Sequence, residues 1–525
     1  MGFTFQKHAD IKYLHNQSLL AKARQYQPKI NHHRVKALAV VNLCQNADAL
    51  NGVGVTKVKD IDELASQPLK RGDKLILDFG DHYVGQFRIH IKAVGSPMDA
   101  PLSLQLRFAE MPAELMSDNS EYQGWLSKSW IQETHEHLDV LPATLELPRR
   151  YSFRYVELTV VDTSPKWQAI FEHPVVDAQS SADIAKVRPP KLGDPELQAI
   201  YQVGLKTLED CMQDVFEDGP KRDRRLWLGD LRLQALANYT TFKNTDLVKR
   251  CLYLFGAMPS EDGRVPADVF TKPSEVPDDT FLFDYSLFFI SVLADYEDFT
   301  ANKQVLTDLY NVAKRQIDVA LQQVSKQGEL KLTADYPVFV DWSDTFDKTT
   351  SGQAILIYVL KQFLVLARQI KDPEIQVYAE KLTSLEKFAK QHLFDRRVGL
   401  FMSGSQHEYN VASQVWMTLA HVFSDQENHQ LMQLTVNKFF PIQGIATPYL
   451  YHHVTQALFE AGLQEEAVKL MKAYWGKMIR LGADTYWEAF DPEKPNYSPY
   501  GSLALNSYCH AWSCTPVYLI DKYLK

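Results

Sequence analysis

A multidomain chain with an N-terminal β-sandwich followed by an (α/α)6 barrel is what this sequence predicts, from three observations. Apolar residues alternate with period two over the first 180 or so residues. Residues 163–194 are then rich in Pro, Ser and Asp and look like a linker leading into a helix cap. Beyond them, about twelve segments carry apolar residues at i, i+3, i+4 spacing. The expected division is a jelly-roll-like sandwich over 1–180 and a barrel over 190–525.

The strands are read from alternation. Phe87, Ile89, Ile91 and Ala93 share one face, with Arg88, His90 and Lys92 opposite. Leu102, Leu104, Leu106 and Phe108 repeat the pattern against Ser103, Gln105 and Arg107. Val156, Leu158 and Val160 repeat it against Glu157 and Thr159. Each is a strand with one buried face. Turns such as Gly95-Ser96-Pro97 separate them, and several such strands favour a sandwich.

The helices are expected near 194–215, 231–243, 246–258, 282–299, 302–324, 351–370, 373–391, 410–424, 428–438, 449–461, 464–480 and 503–522. Twelve helices paired as hairpins suggest the barrel; an α-solenoid is the competing architecture. No repeat of fixed period is visible, which disfavours the solenoid.

Composition narrows the function. The formal net charge is −9 and no long basic run occurs, so nucleic acid is not an expected partner. Met1 to Asp10 shows no apolar core of a secretory signal. No run of 18 apolar residues occurs; the strongest, Ile355 to Ala367, is interrupted by Lys361 and Gln362, so no membrane partner is expected. Cys44, Cys211, Cys251, Cys509 and Cys514 are odd in number and sparse, which fits free thiols in a reducing, cytoplasmic setting. Cys509 and Cys514 lack the further partners of a zinc site, so neither metal nor cofactor is expected. Aromatics make up 12% of the chain, and most of them are read as core.

Three loops carry acids and aromatics beyond ordinary turn chemistry. The first is FEDGPKRDRRLWLGD, 216–230, with Asp218, Asp223 and Asp230 among Lys221, Arg222, Arg224, Arg225 and Trp227. Its bland reading is a charged loop with Asp230 as a helix cap. The second is GADTYWEAFD, 482–491, followed by YCHAW, 508–512; Glu488 lies between Trp487 and Phe490, where aromatic surroundings raise a carboxyl pKa. The blander alternatives are an edge-of-core Glu488 and a structural His510. The third is VFVDW, 338–342, with Asp341 also readable as a cap; PDDTFLFDY, 277–285, adds a further cluster readable as the cap Asp278 or Asp279.

Two carboxyl groups on different loops are what hydrolysis of a glycosidic bond requires, one to protonate the leaving oxygen and one to activate water or attack. No Walker motif, nucleophile elbow or HExxH occurs.

At these loops the chain resembles glycoside hydrolase family 78, the α-L-rhamnosidases. The family signature D-x-P-x-R-[ED]-x-x-x-W-x-G-D stands here from Asp218 to Asp230. Its W-E block stands as Trp487-Glu488, its histidine segment as Cys509-His510-Ala511-Trp512, and its D-W block as Asp341-Trp342. Leu75 to Gly85, Leu106 to Glu110 and Phe153 to Glu157 look like the sandwich preceding the family's catalytic domain.

The resemblance implies an inverting α-L-rhamnosidase with Asp223 as general acid and Glu488 as general base. It implies sugar contacts from Asp218, Arg222, Trp227, Asp230, Asp341, Trp342 and His510. Members often carry Glu where this chain has Asp223, which sets the proton roughly 1.3–1.5 Å further back. The family's extra C-terminal sandwich finds no room in the sequence. Inversion would place the two carboxyls about 6.5–9.5 Å apart. A small-molecule glycoside or oligosaccharide is the expected partner, and a homodimer stays open. The alternatives are a related barrel glycosidase of other sugar specificity and a non-catalytic carbohydrate-binding homologue.

Overall fold

The alternating segments become strands because each has one apolar face to bury. The computed structural model describes residues 10–525; residues 1–9, on which the reading of the N-terminus rests, lie outside the described residues. The strands are β1 (Asn31–Lys36), β2 (Ala39–Gln45), β3 (Val53–Asp60), β4 (Lys74–Gly95), β5 (Leu102–Ala109), β6 (Glu133–Leu138), β7 (Ala143–Asp162) and β8 (Trp167–Ser180). They form one antiparallel sheet in the order β1-β8-β4-β7-β5-β6, with β2 pairing both β3 and β4.

Strand β4 is 22 residues long, and its register against β7 shifts between Asp78 and Tyr83. Gly80 sits in that shift at φ 83, a conformation that disfavours side chains. Both arms of β4 bury their apolar face in the same core, Leu75 and Leu77 from one, Phe87, Ile89 and Ile91 from the other. One continuous sheet thus wraps a single core, as a sandwich does.

The helices are α1 (Gln17–Gln25), α2 (Pro195–Cys211), α3 (Leu228–Thr240), α4 (Thr245–Ala257), α5 (Phe283–Thr300), α6 (Lys303–Gln322), α7 (Thr349–Ile370), α8 (Ile375–Phe388), α9 (Val411–Leu419), α10 (Asp425–Phe439), α11 (Pro448–Glu460), α12 (Gln464–Arg480) and α13 (Pro516–Tyr523). Helices α3, α5, α7, α9 and α11 pack in succession, and α13 closes the ring on α3. Helices α2, α4, α6, α8, α10 and α12 form the outer layer.

Burial follows this arrangement. Every residue of α3 from Leu228 to Tyr239 is buried, whereas α6 buries one stripe through Val305, Leu306, Leu309, Ala313 and Ile317. Helix α7 alone among the described residues is long and apolar enough to cross a membrane; it is an inner helix of the barrel, buried over 72% of its apolar window.

Three expectations differ from the structure. The linker expected over 163–194 holds β8, which pairs with β1 and β4 and buries Trp167, Ala169, Phe171 and Val176 in the core of the β domain. The segment 1–180 is not purely β: Leu19, Leu20 and Ala23 of α1 join the helical core, because α1 packs on α4. The helix expected over 503–522 is confined to α13. Its first part instead hydrogen-bonds to distant backbone: His510 N donates to Tyr486 O at 2.8 Å and Ala511 N to Asp218 O at 2.7 Å. Tertiary partners have replaced the i→i−4 ladder there.

Inner helices leave little slack. A Cβ on Gly229, in the first turn of α3, would lie 2.3 Å from the Tyr285 ring of α5. Gly229→Ala gains helix propensity of about 1 kcal/mol but overpacks by about 1–3 kcal/mol. The expected outcome is a lowered thermal unfolding midpoint; an unchanged or raised midpoint would show that Tyr285 moves aside freely.

Candidate active site

At one end of the barrel the segments 218–230, 278–285, 339–342 and 488–512 enclose a cavity of about 250 Å³. Eight of the nine residues singled out in the sequence line it: Asp218, Arg222, Asp223, Trp227, Asp230, Trp342, Glu488 and His510.

The ninth, Asp341, is brought elsewhere. It is buried and accepts from Ser343 N at 2.8 Å, Ala446 N at 2.9 Å and Thr447 N at 3.0 Å, and from the Thr447 hydroxyl. Those bonds tie the loop after Val340 to the N-terminus of α11. Its oxygens are thereby engaged by four protein donors, and Asp341 is not among the residues lining the cavity.

The loop between α2 and α3 is shaped by its own charges. Asp218 accepts from Asp223 N and Arg225 N, both at 3.0 Å, which draws the chain into a tight turn. Lys221 is buried beneath that turn. Its ammonium donates to Glu114 of the β domain and, at 2.7 Å, to Asn506 O. Arg150 of β7 makes a two-bond ion pair with Glu217 at the start of the loop, at 3.1 and 2.7 Å. The side chains of Arg222 and Asp223 therefore leave a backbone clamped from three sides.

Arg222 stands between the two carboxyls of interest. One guanidinium nitrogen bonds Glu488 Oε2, and another lies 3.8 Å from Asp223 Oδ1. The guanidinium is stacked 3.9 Å over the Tyr500 ring, and the Tyr500 hydroxyl donates to Glu488 Oε1. The two acids differ in access: the Asp223 side chain is 21% exposed and that of Glu488 6%. Burial pushes the Glu488 carboxyl above its usual range, Arg222 and Tyr500 oppose the rise, and Asp223 adds to it.

Deeper in the cavity, Asp230 and His510 face each other with Oδ1 and Nδ1 3.5 Å apart, and neither atom has a hydrogen-bond partner. Burial, then Asp218 and Glu488, raise the Asp230 carboxyl well above the carboxylate range. Burial, then Arg222, hold His510 well below the usual imidazole value, so it is neutral. Asp218 is pushed up to about 8 by burial and by Asp223. An unpaired buried polar atom costs about 1–3 kcal/mol. A polyhydroxylated ligand would restore those bonds.

Asp230 lies inside the first turn of α3, whose N-cap is Trp227, so it is not a cap. Asp278 and Asp279 line the cavity, and the N-cap of α5 is Leu282. Sequence reasoning missed Tyr500 as the Glu488 partner, because nothing in SPYGS marks it as buried. It also missed Trp125, Leu126 and Trp130, which reach the cavity from the β domain. Two tryptophans within six residues of an otherwise polar loop were the available signal.

Metal-type side chains meet outside the cavity. Ligand atoms of His82, Asp210 and Cys509 lie within 4.8 Å of one another. His82 already spends Nδ1 on Asp210 at 2.7 Å and Nε2 on Ser152 at 3.0 Å. Burial opposes its charge, but Cys509, Asp210 and Glu110 raise it well above the usual range, so the cluster reads as a buried ion pair.

Comparison with known proteins places both domains in one family. Residues 37–178 match the glycosyl hydrolase family 78 alpha-rhamnosidase N-terminal domain. Residues 191–524 match the bacterial alpha-L-rhamnosidase 6 hairpin glycosidase domain. A solved rhamnosidase from Klebsiella oxytoca with rhamnose bound is 42% identical, with a TM-score of 0.95 over 98% of this chain and 100% of that one. A family 78 rhamnosidase of Bacillus sp. GL1 is 19% identical, with a TM-score of 0.71 over 89% of this chain and 49% of its own. An α-L-rhamnosidase from Dictyoglumus thermophilum is 14% identical, with a TM-score of 0.66 over 94% and 51%. The last two share the fold, and this chain spans about half their length. A search among curated proteins finds no match. The chain therefore belongs to glycosyl hydrolase family 78, and it is a glycoside hydrolase of the six-hairpin type.

Proposed function

We propose that the protein hydrolyses terminal α-L-rhamnosides with inversion, Asp223 acting as general acid and Glu488 as general base. The observation that carries this reading is the Arg222 guanidinium set between a partly exposed carboxyl and a buried one. A guanidinium and a phenol hydroxyl oppose the rise that burial imposes on the Glu488 carboxyl, which favours the ionised form a base needs. A guanidinium between the two acids also supports the wide spacing that leaves room for water.

The steps follow from these positions. Glu488 takes a proton from water as that water attacks the anomeric carbon. The bond from that carbon to the leaving oxygen breaks with its electron pair, and Asp223 gives its proton to that oxygen. The sugar is released as the β anomer. Asp230 and neutral His510 offer a donor and an acceptor to ring hydroxyls on the cavity floor. The methyl group of a 6-deoxy sugar suits the apolar wall of Tyr285, Phe339 and Trp512. The relative with rhamnose bound, which matches along its whole length, supports rhamnose as the sugar. Five free cysteines, with Cys211 and Cys509 sulfurs 3.9 Å apart, support a reducing, cytoplasmic setting.

A panel of nitrophenyl glycosides with NMR of the first-formed anomer tests the reading. The expected result is cleavage of the α-L-rhamnoside with β-L-rhamnose appearing first. Initial α-L-rhamnose would overturn inversion, and preference for another glycoside would overturn the sugar. Asp223→Asn and Glu488→Gln should each lower kcat by about 10²–10⁴-fold while rhamnose binding, read by calorimetry, persists. Rhamnose binding by a wild-type protein that turns over no glycoside would instead indicate a binding homologue.

A second prediction concerns pH. Glu488 must be ionised, and its folded pKa is raised, so activity falls as pH drops through a value above that of an ordinary glutamate. The Tyr500 hydroxyl stabilises the charged form. Tyr500→Phe should therefore move the acidic limb of kcat/KM to higher pH; a limb that stays or moves down would remove Glu488 as the group titrating there.

A further inference from the structure

The loop 117–131 of the β domain is built to reach the catalytic cavity. Its near end is held by Arg107 of β5, which donates to Leu115 O at 3.1 Å and Ser117 O at 2.8 Å. Its far end is held where Phe108 N donates to Gln132 O at 2.9 Å. Between these anchors the tip crosses to the helical domain. Trp125 Nε1 donates to Pro499 O at 3.0 Å, and its ring lies 5.4 Å from that of Tyr500. Leu126 and Trp130 pack on Ile131, Tyr500 and Leu505. The loop thus rests on the tyrosine that bonds Glu488.

Depth in the cavity orders the residues. Asp230 is 2% exposed, His510 3% and Glu488 4%, while Trp125 is 49% exposed at the rim. A terminal sugar seated against Asp230 and His510 would turn its leaving group toward the more exposed Asp223 and Trp125, which line the same cavity. An indole face at that point favours a flat apolar face over a hydrated alkyl stub.

We propose that Trp125, with Leu126 and Trp130, forms the leaving-group subsite and selects glycosides whose aglycone presents a flat apolar face. The inference rests on the glycosidase reading above. An aromatic ring and the C–H face of a second sugar both meet that description.

The test compares kcat/KM for methyl, aryl and disaccharide glycosides in wild type, Trp125→Ala and Trp125→Phe. It uses whichever sugar series the wild type cleaves. A series other than rhamnosides would overturn the substrate reading and leave the subsite test intact. Trp125→Ala should lower the aryl-to-methyl or disaccharide-to-methyl ratio about 3- to 10-fold, the size expected of one aromatic contact. Trp125→Phe should recover most of it. The ratio that falls identifies which aglycone the subsite takes. Ratios equal to those of the wild type, or losses equal on all three substrates, would overturn the subsite.

Discussion

Lys221 is a buried ammonium, 1% exposed, one residue before Arg222. A charge taken out of water costs several kcal/mol unless it is paired and hydrogen-bonded. Its partners come from two distant parts of the chain: Glu114, with Glu110 at 3.7 Å, from the β domain, and Asn506 O from the segment leading to His510. The acid-bearing loop, the docking of the β domain and the course of residues 503–512 are therefore solved together. Glu110 extends the network. It accepts from Tyr508 N at 2.6 Å and from Ser152 at 2.7 Å, and Ser152 in turn meets His82, which is paired with Asp210 at the end of α2. The β domain is in this sense part of the catalytic scaffold.

The cavity divides its acids by environment. Asp218 and Asp230 are buried near other carboxyls, and desolvation favours their neutral forms. Glu488 is equally buried but has Arg222 and Tyr500 against its two oxygens, which oppose the rise. Asp223 lies closest to solvent. One cavity thereby gives its carboxyl groups different surroundings, the means by which a fold sets acids and bases apart.

Much of this was legible in the sequence, for reasons that residues make plain. Phe87, Ile89 and Ile91 alternate because one side of β4 faces a core, and all three are buried. Most helices could be placed from helical spacing, but α1 and the true extent of α13 could not. The signature from Asp218 to Asp230 could be read because its parts act within one loop: Asp218 bonds the backbone of 223 and 225, and Gly229 admits Tyr285. The hydrogen bonds of Asp341 could not be read, since its partners Ala446 and Thr447 lie over a hundred residues away. The missing helix at 503–515 has the same cause, as does Trp125.

The sequence by itself determined the strand and helix periodicity and the acid-rich loops, and its resemblance to the family singled out Asp223 and Glu488. Those properties are local, set by which side chains recur on one face or crowd into one turn. Only the tertiary structure decided that Arg222 lies between that pair, that Asp341 serves the backbone, and that tryptophans of the β domain stand at the mouth. Each depends on a contact between distant segments, and such contacts exist only once burial has brought the segments together.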